Sequence, residues 1–123
     1  MPKKVLVVDD SAMMRKIVVK NIREAGFDVS VVEASDGKEG LEKFQAEAFD
    51  AVLTDWNMPN MDGVTMVKEI RKIDPNKKVP IVMVTTEGSA DKVKEAVLAG
   101  ANNYIAKPFT ADRLREKLGK ILG

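Results

Sequence analysis

Five polar side chains stand directly behind short apolar runs in this sequence. Asp9 and Asp10 follow residues 5–8, Asp55 follows 51–54, Thr85 follows 81–84 and Lys107 follows 103–106. Each type suits one kind of chemistry. A carboxylate can attack phosphorus and become an aspartyl phosphate. Gathered carboxylates repel one another and any anionic donor unless a cation or a proton compensates. A lysine can pair with a phosphoryl oxygen as a point charge, and a threonine hydroxyl can donate a hydrogen bond to another. The chain has no histidine and no cysteine. A metal would therefore be held by oxygen, which favours magnesium, calcium or manganese, and magnesium suits a few carboxylates plus water.

Taken singly, each residue has a plain structural explanation. Asp10 can solvate a loop, Thr85 can sit in a turn, and Lys107 can be a surface lysine. Tyr104 can be a half-buried strand aromatic and Trp56 a packing residue. Asp36 and Asp62 have the positions of helix caps, and Met13, Met14, Met58, Met61, Met66 and Met83 those of core or loop filler. The joint pattern is more specific, because four of five strand ends carry a residue useful to one reaction.

The elements that must position these residues alternate strictly. Residues 5–8 form a continuous apolar run, as expected of a strand covered on both faces, and mostly apolar segments at 29–32, 51–54, 81–84 and 103–106 read as further strands. Between and after them lie helical spacings: Met14, Ile17, Val18, Ile22 and Ala25; Leu41, Phe44 and Ala48; Val64, Val67, Ile70 and Ile73; Val93, Ala96 and Val97; Leu114, Leu118 and Ile121. Ser11, Asp36, Ser89 and Thr110 are expected N-caps, with Glu39 at capping-box distance from Asp36. Gly26 and Gly100 are expected to end helices, and Asp74-Pro75 to stop the third. Five β-α units with short connections predict a parallel sheet with helices on both faces. Its carboxyl edge, where open α/β sheets bind ligands, would gather the five polar residues.

The totals agree with one soluble domain over residues 1–123. Apolar content is 45% and charged content 32%, against the composition of a disordered chain. A net charge of +1 offers no electrostatic case for nucleic acid or an anionic membrane. The first apolar run is too short for a signal peptide or a spanning helix, so a cytoplasmic location without membrane insertion is expected.

At this point the residues resemble a family. Val-Val-Asp9-Asp10-Ser, Leu-Thr-Asp55-Trp-Asn57-Met-Pro-Asn-Met-Asp62-Gly63, Val-Thr85-Thr and Tyr104-Ile-Ala-Lys107-Pro108-Phe109-Thr look like the receiver domain of two-component response regulators. The likeness covers nearly the whole chain and is nearest to the stand-alone chemotaxis regulators. It implies a flavodoxin-like sheet in the order 2-1-3-4-5. It implies that Asp55 accepts a phosphoryl group from a histidine kinase or a small donor such as acetyl phosphate. One magnesium ion would be bound by the side chains of Asp10 and Asp55, by Asp9 through water and by the backbone carbonyl of Asn57. Thr85 and Lys107 would hold the phosphoryl group, Thr85 and Tyr104 would form the switch, and Lys107-Pro108 would be cis. Trp56, Thr86 and Glu87 would rim the site. With no effector domain, output would pass through a partner surface, implying a monomer that meets a flagellar motor switch protein and a phosphatase. Only its own phosphorylation and dephosphorylation would be catalysed.

Other readings share parts of the pattern. A single-domain phosphorelay carrier would pass the group to another histidine protein. An aspartate-nucleophile, magnesium-dependent phosphatase of the haloacid dehalogenase type would want a second acid at position 11, where Ser11 stands. A flavodoxin would want a hydroxyl- and glycine-rich loop where Asp9-Asp10-Ser11 stands.

Overall fold

Side chains alternate along the strands, and each of the two faces they create meets its own set of helices. A computed structural model of the chain describes residues 3–76, 78–86 and 88–122. Its elements are β1 (Lys3–Val8), α1 (Ala12–Glu24), β2 (Val29–Ala34), α2 (Gly37–Ala46), β3 (Ala51–Thr54), α3 (Gly63–Ile73), β4 (Ile81–Thr85), α4 (Ala90–Ala99), β5 (Asn103–Ala106) and α5 (Ala111–Leu122). All five strands are parallel, in the order β2-β1-β3-β4-β5. This is the expected order.

Val5, Val7, Ala51, Leu53, Val82 and Val84 face α1 and α5, packing on Val18, Ile22, Leu114 and Leu118. Leu6, Val8, Val52, Ile81 and Met83 face the other way, onto Met66, Val67, Ile70 and Ala96 of α3 and α4. The two faces explain why the central strands β1, β3 and β4 read as nearly unbroken apolar runs, whereas the edge strands β2 and β5 carry Ser30, Glu33 and Asn103.

The caps fall where expected. The side chains of Ser11, Asp36 and Ser89 accept from Met14, Glu39 and Lys92 N–H groups. Thr110 Oγ1 accepts from the Arg113 N–H, and Asp62 caps α3 through the Thr65 N–H. Gly26 and Gly100 end α1 and α4 with positive φ, 93° and 122°. Some details differ. α2 stops at Ala46, so Ala48 lies beyond it and is exposed. Ile73 (46% exposed) and Val97 (54%) face solvent, because each lies at the edge of a stripe whose centre already fills the contact with the sheet. Met66 and Met83 are core, whereas Met13 is 73% exposed.

Candidate functional site

In the order 2-1-3-4-5 the connection from β1 runs to β2 on one side, and the next passes back across β1 to β3 on the other. The crevice at such a reversal is where open α/β sheets bind ligands, at the carboxyl ends of the strands. Val8 pairs with Thr54 in this sheet, so Asp9 and Asp55 emerge side by side. The Asp55 N–H donates to the Val8 carbonyl at 2.9 Å, fixing the offset between the two strand ends.

Asp9, Asp10 and Asp55 each place a carboxylate oxygen within 4.8 Å of the others. Asp9 is buried (3% exposed) and Asp10 is exposed, leaving the cluster open to solvent on one side. Lys107, from the end of β5, reaches across the edge. Its Nζ donates to Asp9 Oδ2 at 2.8 Å and to Asp55 Oδ2 at 3.2 Å. Burial alone would lower the pKa of this ammonium. The Asp9 hydrogen bond and the charges of Asp55 and Asp9 outweigh burial and hold it above the ordinary lysine value.

The second oxygens of Asp9 and Asp55 are also held. Asp9 Oδ1 accepts from the Ser11 N–H at 2.9 Å, and Asp55 Oδ1 from the Trp56 N–H at 2.7 Å. Thr85 is fully buried at the end of β4, and its carbonyl accepts the Lys107 N–H at 3.0 Å. That bond ties the expected hydroxyl donor to the expected lysine. The Lys107-Pro108 peptide is cis. Tyr104 is half-buried against the core beneath α2–α4. Asn57 and Thr86 are exposed. Trp56 is 4% exposed, with the Lys92 ammonium 5.0 Å from its ring centroid; its backbone borders the site while its indole lies beneath the first turn of α4. Glu87 lies outside the described residues.

Sequence reasoning missed three supports. Arg15 donates to the Asp9 carbonyl at 2.7 Å and pairs with Glu33 at 3.0 Å, bracing the end of β1. Only its position one helical turn after Ser11 hinted at this. Gly63 lets the loop after Asp55 close, because a Cβ there would overlap the Asp55 carbonyl oxygen; the Gly63 N–H donates to the Trp56 carbonyl at 2.8 Å. Asp36, expected only as a cap, also accepts from Asn60 Nδ2 at 2.7 Å.

A model of the response regulator receiver domain matches residues 5–119. The chain belongs to that family. Chemotaxis protein CheY1 of Helicobacter pylori is 49% identical over 121 residues, covering 98% of this chain and 97% of the relative. Among solved structures, chemotaxis protein CheY4 of Vibrio cholerae superposes with a TM-score of 0.86 at 38% identity, covering 99% of this chain and 100% of that one. The CheX-CheY-BeF3-Mg2+ complex of Borrelia burgdorferi gives a TM-score of 0.90 at 29% identity, covering 100% and 91%. This receiver is thus homologous to the CheY chemotaxis regulators. Its general function is phosphorylation-activated signalling, and receivers of this kind are signalling proteins. No helix among the described residues is long and apolar enough to cross a membrane.

Proposed function

We propose that this receiver takes a phosphoryl group onto Asp55, with magnesium held in the Asp9–Asp10–Asp55 cluster, and signals by offering a changed surface to a partner. The observation that carries the reading is Lys107 Nζ bridging Asp9 and Asp55 beside a third carboxylate. A lysine pinned there by two acids is a cation waiting at the position where a phosphoryl oxygen would arrive.

The donor set fits a hard divalent cation. It is all oxygen, it is partly open to water, and it carries more negative charge than one lysine cancels. Asp10 and Asp55 would bind it directly, Asp9 through water and Asn57 through its carbonyl. When bound, it would screen the repulsion between Asp55 and an anionic donor. Asp55 attacks phosphorus, and the bond from phosphorus to the donor's nitrogen or oxygen breaks with its electron pair leaving on the donor. Lys107 pairs with one phosphoryl oxygen. The Thr85 hydroxyl donates to another, and its displacement opens room for Tyr104 to turn inward. Contacts made only in the phosphorylated shape shift the population towards it. Dephosphorylation reverses the bond to Asp55 with water as acceptor.

The donor is a histidine kinase, and the identity shared with chemotaxis relatives favours a flagellar motor switch protein as the output partner. A CheX-type phosphatase is the natural terminator, given the relative that forms such a complex. The test is intact mass after incubation with acetyl phosphate, with and without magnesium. A magnesium-dependent, hydrolysable gain of one phosphoryl group is expected in the wild type and none in Asp55→Asn. Stoichiometric labelling of Asp55→Asn would overturn the assignment.

A further inference from the structure

The loop between Asp55 and α3 carries Asn57 and is tied at both ends. Its near end is closed by the Gly63 N–H on the Trp56 carbonyl. Its far end is tied to a different part of the chain, the turn between β2 and α2. Asn60, at a φ of 66°, donates from Nδ2 to Asp36 Oδ2 at 2.7 Å. The other oxygen, Asp36 Oδ1, caps α2 by accepting the Glu39 N–H at 2.8 Å, and Glu39 reaches back to the Ser35 N–H at 2.9 Å. The Gly37 N–H donates to the Met61 carbonyl at 3.0 Å, in an approach so close that a Cβ on Gly37 would overlap that oxygen. The Glu39 backbone bond and then the Asn60 amide hold the Asp36 carboxyl below its ordinary pKa.

We propose that Asp36 and Asn60 form a latch that positions the loop after the phosphoacceptor and, through it, the Asn57 carbonyl for the cation. Both are positioning residues, since neither touches the cluster. The inference rests on the magnesium reading above. One carboxylate serves two purposes: it starts α2 with one oxygen and holds the loop with the other. The stiffness of α2 is thereby lent to a segment with no regular structure of its own. Groups that hydrogen-bond a metal ligand directly change its affinity by about 10- to 100-fold, and the latch, which acts through the loop, is expected at the lower end of that range.

Three variants separate the latch from folding. Asn60→Gly deletes the amide while keeping a residue at ease with positive φ. Asn60→Asp sets a second carboxylate against Asp36. The double variant Asp36→Asn with Asn60→Asp reverses the pair, and asparagine remains a good cap for α2. Magnesium binding is read from Trp56 fluorescence, the chain having one tryptophan, whose backbone N–H donates to the Asp55 carboxylate. Both single variants should bind magnesium about ten-fold more weakly, and the reversed pair should return to within about two-fold of wild type. At saturating magnesium all should react with acetyl phosphate at near wild-type rates. Wild-type affinity in both single variants would overturn the latch, as would a loss that the reversed pair fails to restore. A wild type with no response to magnesium, by fluorescence or calorimetry, would instead overturn the magnesium reading and the latch with it.

Discussion

Replacing Lys107 with methionine removes the ammonium that bridges Asp9 and Asp55 while keeping an arm of similar length. Two unit charges 4.8 Å apart interact by about 3.5 kcal/mol at an effective dielectric of about 20. The lysine contacts at 2.8 and 3.2 Å are each worth about 5–6 kcal/mol on the same scale, so they offset the gross repulsion within the cluster. Without them the three carboxylates are left uncompensated, though the exposed Asp10 is partly screened by water. Lys107→Met should therefore cost about 3 kcal/mol at pH 7. Urea denaturation of both proteins in chelator measures the difference. Magnesium should recover most of the loss, and its affinity for the variant should be no weaker than for wild type. A loss below about 1 kcal/mol, or one that magnesium leaves unchanged, would refute the reasoning.

Lys107 has its pKa raised by folding, so its contribution is complete at neutral pH and is lost as pH climbs beyond 10.5; alkaline denaturation should show this step in wild type and not in Lys107→Met. The carboxyls of Asp36 and Asp74 are lowered, so their contributions are present above 3.8 and fade as pH falls below it, which acid titration of stability should reveal. Arg71 is nearly buried and its guanidinium donates to the Gly100 and Val79 carbonyls, to Asn102 Oδ1 and to Asp74. Lysine cannot reproduce that fork, so Arg71→Lys should lower the urea-derived stability by about 3 kcal/mol, and a change under about 1 kcal/mol would deny the clamp its role. Gly63→Ala should cost at least about 3 kcal/mol or displace the loop after Asp55, which chemical denaturation and the Trp56 emission together would detect.

The five strands and five helices were legible because parallel strands covered on both faces are continuous apolar runs, and because caps and glycines punctuate the helices. Strand-end chemistry was legible for the same reason: a polar residue that ends such a run has nowhere to go but the sheet edge. Periodicity alone left the strand order open, since alternation fixes parallel pairing without saying which strands are neighbours; the family resemblance supplied it.

What residue types by themselves determined about this protein is its menu of chemistry: oxygen ligands only, a candidate nucleophile in Asp55, and Lys107 as a cation to meet a phosphoryl group. Only the tertiary structure decided which groups meet. Lys107 reaches Asp9 across 98 residues, Arg15 braces the Asp9 carbonyl, Arg71 gathers the turn around Gly100, and Asp36 holds Asn60. None of these pairs lies on one helix face or one strand. Each exists because the sheet order and the helix packing bring distant segments together at one end of the sheet or the other, Arg71 at the amino ends of β4 and β5 and the rest at the carboxyl ends, and there a polar group must find a partner once water is excluded.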